Sequence, residues 1–152
     1  MSSPHSANLR RGRVSLPSHA YLLTTVTIAR QPVFADFNLA RLAIRALREC
    51  DRVGESETLA FVLMPDHVHW LFVLRGPDLS AVARRFKSIA ARQVNRARGL
   101  ENRPLWQAGF HDHTLRRGED LTRVARYIVA NPLRAGLVRH IGDYSHWDAV
   151  WL

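Results

Sequence analysis

His67 and His69 stand two residues apart inside Phe61–Leu74, the most hydrophobic run of the chain. In a strand, side chains alternate between faces, so both imidazoles share one side and Val68, Trp70 and Phe72 take the other. Two imidazoles on one face of a rigid strand can supply two ligands to one metal ion. They can equally be hydrogen-bonded histidines of an ordinary core. Tyr127 is the second group of interest. Leu121, Val124, Ala125 and Ile128 form an apolar helical stripe, and Tyr127 lies off it by roughly 100°. Arg123 and Asn131, four residues to either side, share the Tyr127 face, although Pro132 biases Asn131 away from helical angles. A phenol, an amide and a guanidinium on one face can act on a phosphodiester. A tyrosine at such a position is also commonly a packing residue. Its unperturbed pKa of about 10 means that a nucleophilic role needs a metal, a base or a nearby cation such as Arg123.

These groups require elements to hold them. Residues 20–28 are rich in β-branched side chains and predict a strand. Apolar residues at Leu39, Leu42, Ala43, Ala46 and Leu47 predict a helix over 37–52, stopped by Gly54. Residues 59–64 and 67–74 predict two strands about a turn or bulge at Pro65-Asp66. Asp78 or Ser80 can cap a helix over 79–97, with Leu79, Val82, Ala83, Phe86, Ala90 and Val94 inward. Its other faces carry Arg84, Arg85, Lys87, Arg92, Arg96 and Arg98 with no acidic residue in the helix to offset them. Residues 99–109 read as a linker and 110–115 as a fourth strand. The last helix runs from Leu121 to about Asn131, followed by one turn that ends at Gly136. The tail carries Trp147 and Trp151, which suit packing on the body. The order β-α-β-β-α-β is the split βαβ, ferredoxin-like pattern of an α+β protein. It predicts an antiparallel sheet with two helices on one face and the last helix across the other.

The chain of 152 residues suits one domain, at 20–152, behind a flexible basic arm at 1–19. Its net charge of +9 is carried by arginine, since Lys87 is the only lysine among 22 basic residues. Arginine's planar fork suits phosphate, and a pI near 11.3 points to nucleic acid as partner. Arg10, Arg11 and Arg13 on the arm, and Arg84, Arg85, Lys87, Arg92 and Arg123 on the body, are the candidate DNA contacts. Cys50 is the single cysteine, which excludes an internal disulfide and a cysteine-based zinc cluster and fits a reducing cytosol. No apolar run is long enough for a membrane span.

The chain resembles the His-hydrophobe-His single-tyrosine transposases, and within them the REP-associated tyrosine transposases related to IS200-type elements. The resemblance rests on Val62-Leu63-Met64-Pro65-Asp66-His67-Val68-His69-Trp70, on Leu105-Trp106-Gln107 with Gly109-Phe110-His111-Asp112-His113, and on the block from Ala125 to Val138 that contains Tyr127, Asn131 and Pro132. It implies that His67 and His69 bind a divalent metal, and Mg²⁺ or Mn²⁺ suits a set of neutral ligands with open positions for phosphate. It further implies that Asn131 is the third ligand and Tyr127 the nucleophile. The implied reaction is cleavage and transfer of single-stranded DNA through a 5′-phosphotyrosine, on hairpins of repetitive extragenic palindromes. The implied setting is the bacterial cytoplasm and nucleoid, and monomer and dimer are both compatible with the sequence. His111 and His113 share one face of the fourth strand and are candidate DNA contacts or supports for the metal ligands. Two rivals remain at this point. One is a catalytically inert nucleic-acid-binding module on the same fold. The other is a phosphoesterase that uses water, with Tyr127 structural.

Overall fold

In a computed structural model, residues 18–116 and 120–151 are described. Arg10, Arg11, Arg13 and the rest of the basic arm through residue 17 lie outside the described residues. The Ser18 amide donates to the Leu74 carbonyl (2.7 Å) and the Leu74 amide to the His19 carbonyl (2.9 Å).

Five strands and four α-helices are present among the described residues, the first eight of these elements in the expected order. They are β1 (Ala20–Val26), α1 (Phe37–Arg52), β2 (Ser56–Met64), β3 (His67–Leu74), α2 (Leu79–Arg98), β4 (His111–Thr114), α3 (Leu121–Val129), α4 (Asn131–Arg134) and β5 (Trp147–Ala149). The sheet order is β4-β1-β3-β2-β5, with every neighbouring pair antiparallel. The fifth strand was not expected. The tail adds it to the β2 edge, pairing Val62 with Trp147 and Ala60 with Ala149.

The sheet is buried on both sides, which explains why the β2–β3 segment reads as a nearly continuous hydrophobic run. On one side Val68, Trp70, Phe72, Leu63 and Leu23 pack under α1 and α2, whose inward residues include Ala43, Leu47, Phe86 and Ala90. On the other side Ala60, Val62, Met64 and Leu71 pack against Ala125 and Ile128 of α3. The helices therefore divide between the two faces as the sequence predicts. Their ends are chemically marked. Asp36, Asp78 and Asp120 each accept a backbone N–H at the starts of α1, α2 and α3. Gly136 ends the last turn at a φ of +74°, where a side chain would be strained.

β1 ends two residues before Ile28. There the chain enters a short 3₁₀ turn in which Ala29 and Arg30 both take positive φ, 53° and 50°. β2 starts at Ser56, earlier than expected, and its register shifts between Thr58 and Ala60. A polar clamp fixes this irregular start. Asp51 accepts from the Ser56 hydroxyl (2.5 Å), the Thr58 hydroxyl (2.9 Å) and the Thr58 amide (3.2 Å). The Thr58 hydroxyl in turn accepts from the indole N–H of fully buried Trp70 (2.9 Å). Trp70 anchors an aromatic cluster with Phe72 and Phe86.

Thr58→Val removes the indole's acceptor at nearly constant shape. We expect it to cost about 1–3 kcal/mol, the desolvation penalty of an unsatisfied buried donor. Urea unfolding measures this, and an unchanged midpoint would show that the clamp is not needed.

Candidate active site

The β3 register sets which side chains meet. His69 lies opposite Thr24 on β1 and Val62 on β2, and His67 lies opposite Val26 and Met64. Cross-strand partners share a face, so both histidines project on the side covered by α3. Their ring centroids are 4.9 Å apart in an edge-on arrangement.

Each ring is held through Nδ1. The His67 Nδ1 is 2.7 Å from Asp66 Oδ1, and the His69 Nδ1 is 2.8 Å from the Thr24 hydroxyl. An ionised carboxylate only accepts, so His67 must carry its proton on Nδ1 and donate it. Burial opposes ionisation of Asp66, but hydrogen bonds from His67 and Arg30 outweigh it and hold the carboxyl below its usual range. The Arg30 guanidinium reaches Asp66 Oδ2 at 2.9 Å from the left-handed turn after β1. The Thr27 amide and hydroxyl both bind the Asp66 carbonyl. Burial, with the charges of His67 and Arg134, pushes the His69 pKa down to about 4. His69 is therefore a neutral ring at pH 7. With each Nδ1 engaged, Nε2 is the ring atom left for a ligand, the arrangement that metal-binding histidines usually adopt.

The donor set thus fits a metal held by two imidazoles with an open remainder. Among the described residues no group of three or more His, Cys, Asp or Glu side chains could hold a metal ion. Asn131 begins α4 in helical backbone, despite the bias that Pro132 imposes, and its Nδ2 donates to the Ile128 carbonyl (3.1 Å). The amide oxygen is thereby the end of the side chain left to act as a ligand.

α3 is anchored by Ala125 and Ile128, each 2% exposed, against the histidine face of the sheet. Tyr127, one residue before Ile128, is 66% exposed. Of the chain's three tyrosines it alone presents its ring to solvent. Tyr21 is buried, and Tyr144 is half-buried with its hydroxyl on the Leu63 carbonyl (2.6 Å), its pKa pushed up to about 12 by burial. The cation over Tyr127 is Arg134, whose guanidinium carbon lies 3.9 Å from the ring centroid. Arg134 also lowers the His69 pKa, so its charge is felt at both groups. Sequence reasoning named Arg123 for this place. Arg123 is exposed on the first turn of α3, where its amide is bound by the Asp120 cap.

The remaining candidates divide. His111 on β4 pairs across the sheet with Thr24, and His113 with Leu22, so both lie on the histidine face, with His111 beside the residue that orients His69. α2 lies on the opposite face. Arg84 and Arg92 are exposed there, Arg92 with a bond to the Ser88 hydroxyl. Arg85 is paired with Glu55 (2.7 Å), so an acid outside the helix offsets part of its charge. Lys87 donates from its ammonium to the Gln107 and Gly109 carbonyls and so ties the 104–110 loop to α2. Cys50 is buried, and burial and the charge of Glu55 push its thiol up to about 12, which makes it unreactive.

Thr24, Arg30, Asp66 and Arg134 are the site residues that sequence reasoning missed. Asp66 directly precedes His67, and Arg134 follows Tyr127 by seven residues, a same-face spacing. Nothing local marks Thr24 or Arg30, because sheet pairing and a left-handed turn bring them in.

Comparison with known proteins gives a consistent picture. The family model described as "Transposase IS200 like" matches residues 15–131. A REP-associated tyrosine transposase of Escherichia coli K12 is 32% identical over 88 residues, spanning 58% of this chain and 51% of that protein. A putative REP-associated tyrosine transposase of Haemophilus influenzae is 31% identical over 101 residues, spanning 59% and 57%. The chain thus spans about half the length of these relatives. Among solved structures, a REP-associated tyrosine transposase bound to a REP hairpin superposes with a TM-score of 0.71 at 25% identity, covering 89% of this chain and 79% of that one. A putative transposase from Deinococcus radiodurans superposes at 0.56 and 22% identity, covering 78% and 94%, a likeness of fold. No helix of the described residues is long and apolar enough to cross a membrane.

The depressed pKa of His69 has a measurable consequence in metal-free protein. The unfolded chain takes up a proton near 6.5, while the folded ring resists until about 4. The stability contributed by neutral His69 is complete above about pH 6.5 and is lost as pH falls toward 4, roughly 3 kcal/mol in all. Chemical unfolding in EDTA between pH 7 and 4 should show this slope, and His69→Gln should flatten it. Equal slopes in the two proteins would contradict the assignment.

Proposed function

The chain belongs to the IS200-like transposase family, and from that premise we propose that it is a metal-dependent tyrosine DNA transposase. Its reaction is cleavage and rejoining of single-stranded DNA beside palindromic hairpins. The observation that carries this reading is the meeting on one sheet face of two imidazoles held through Nδ1 with the only solvent-presented tyrosine, under an arginine.

His67 and His69, through Nε2, with the Asn131 amide oxygen, would hold Mg²⁺ or Mn²⁺. The bound ion neutralises phosphate charge and polarises the P–O bond. The other steps belong to the chain. Tyr127 Oη attacks the phosphorus and loses its proton to solvent. A Tyr–O–P bond forms, the bond to the 3′ oxygen breaks, and that oxygen leaves as a 3′-OH after taking a proton. The strand is then held as a 5′-phosphotyrosine. A second 3′-OH can attack it, restoring a phosphodiester and the free phenol without ATP. Arg134 supplies positive charge beside the nucleophile as the phosphate gains charge. Thr24 and Asp66 keep the imidazoles turned, so no energy is lost in reorienting them during reaction. Arg84 and Arg92 supply phosphate contacts remote from the chemistry, and the related REP-hairpin complex supports hairpin DNA as the partner.

Incubation with a labelled palindromic oligonucleotide and Mn²⁺, followed by a denaturing gel, should yield a covalent adduct. Tyr127→Phe should abolish it. Cleavage that survives Tyr127→Phe would favour water as the nucleophile, and binding without cleavage would favour an inert binding module. Thr24→Val and Asp66→Ala should each weaken Mn²⁺ binding about 10–100-fold by calorimetry. Unchanged affinity in both would remove the proposed support of the imidazoles.

A further inference from the structure

A second feature lies on the opposite face of the sheet from the histidines. A groove of about 550 Å³ runs between α2 and the loop 104–110. Leu105, Trp106 and Phe110 give it an apolar floor, and Ser80, Arg84 and Gln107 stand around it. We propose that this groove takes one unpaired nucleobase of the bound DNA, from which the strand passes around the β4 edge to the histidine face. This rests on the DNA reading above.

The chemistry matches in three respects. A nucleobase has an apolar π-face, a polar edge and a phosphate one sugar away. The groove offers an aromatic and aliphatic floor, an amide and hydroxyl at its sides, and a guanidinium at its rim. The ridge beside it continues the match. Ser80, Arg84, Ser88, Arg92 and Arg96 recur every four residues along α2, so hydroxyls and guanidiniums suited to a phosphate backbone run away from the groove. Arg84, Ser88, Arg92 and Arg96 are exposed.

The groove is also built rather than incidental. Lys87 Nζ donates to the Gln107 carbonyl (2.9 Å) and the Gly109 carbonyl (2.6 Å). The Trp106 indole N–H donates to the Lys87 carbonyl (3.1 Å). The Trp106 ring is wedged between Phe34 and Phe86. On its other side the loop is stitched to the end of β1, where the Gln107 amide binds the Val26 carbonyl (2.8 Å) and Thr27 bridges to Trp106. A loop pinned at both walls keeps its cavity open without ligand, which lowers the ordering cost of binding.

Its position gives it a role. Val26 pairs with His67 across the sheet, so the stitched loop is attached at the site end of β1. The loop leads directly into edge strand β4, whose His111 and His113 lie on the histidine face. A strand that leaves the groove along this path passes from one face of the sheet to the other over β4, with His111 two strands from His69. The groove would then fix which phosphate reaches the tyrosine.

The test pairs DNA and protein changes. The 152-residue chain in EDTA is titrated with a fluorescent hairpin oligonucleotide bearing a single-stranded flank, intact or with one abasic site at each unpaired position in turn. Ala108→Leu and Ala108→Phe fill the groove from the 104–110 loop at an exposed position outside the basic ridge, and thermal melting confirms that both fold. We expect one abasic position to weaken wild-type binding about tenfold. Both filled variants should bind intact DNA about tenfold more weakly, yet bind that abasic oligonucleotide like wild type. Uniform insensitivity to abasic sites, or sensitivity that persists in both filled variants, overturns the proposal. The Mn²⁺ adduct assay on the same proteins separates the two claims. An adduct without this coupling removes the groove alone. Coupling without an adduct removes the transposase reading and leaves the groove as a DNA site.

Discussion

Everything at this site depends on the pleat of β3. Adjacent residues of a strand must face opposite ways, and β3 sits between two buried layers. Val68, Trp70 and Phe72 are drawn under α1 and α2, which fixes the phase of the strand. His67 and His69 are thereby placed on the other face, where α3 arrives with Tyr127. A slip of one residue would exchange the faces, burying the imidazoles under the helices and exposing Trp70 to the α3 side. The Asp51–Thr58–Trp70 hydrogen bonds are thus as relevant to function as to stability, because they hold the residue that sets this phase.

Polar contacts then complete what register begins. Strand geometry puts two rings on one face but leaves each free to rotate. Thr24, one strand away, and Asp66, one residue before His67, remove that freedom by binding Nδ1. Asp66 is itself held by Arg30 from a turn of two consecutive left-handed residues, neither of them glycine. Such backbone costs energy and persists only where surrounding contacts fix it. Here they do, through the bonds from Thr27 to the Asp66 carbonyl.

Much of this was legible in the sequence, and the reasons for the rest are physical. Period-two alternation gave the histidine face, and helical spacing gave the Tyr127 face. Two-sided burial announced itself as the long apolar run of β2 and β3. The fifth strand was not legible, since Trp147–Ala149 is short and becomes a strand only by pairing with β2. Thr24 and Arg30 are likewise defined by what lies across the sheet. One-turn helical spacing points to Arg123, whereas Arg134 comes from the separate turn of α4, past the expected end of the last helix. Lys87 also ties its helix to the Gln107 and Gly109 carbonyls, a use that charge counting does not reveal.

The central claim is that His67 and His69 present their Nε2 atoms together to one divalent ion beneath Tyr127. Anomalous scattering from crystals grown with Mn²⁺ tests it most directly. The account predicts a single Mn²⁺ peak within bonding distance, roughly 2–2.3 Å, of both Nε2 atoms, with Thr24 and Asp66 still on Nδ1. A fully occupied Mn²⁺ elsewhere, with the two rings turned apart or unliganded, would contradict it.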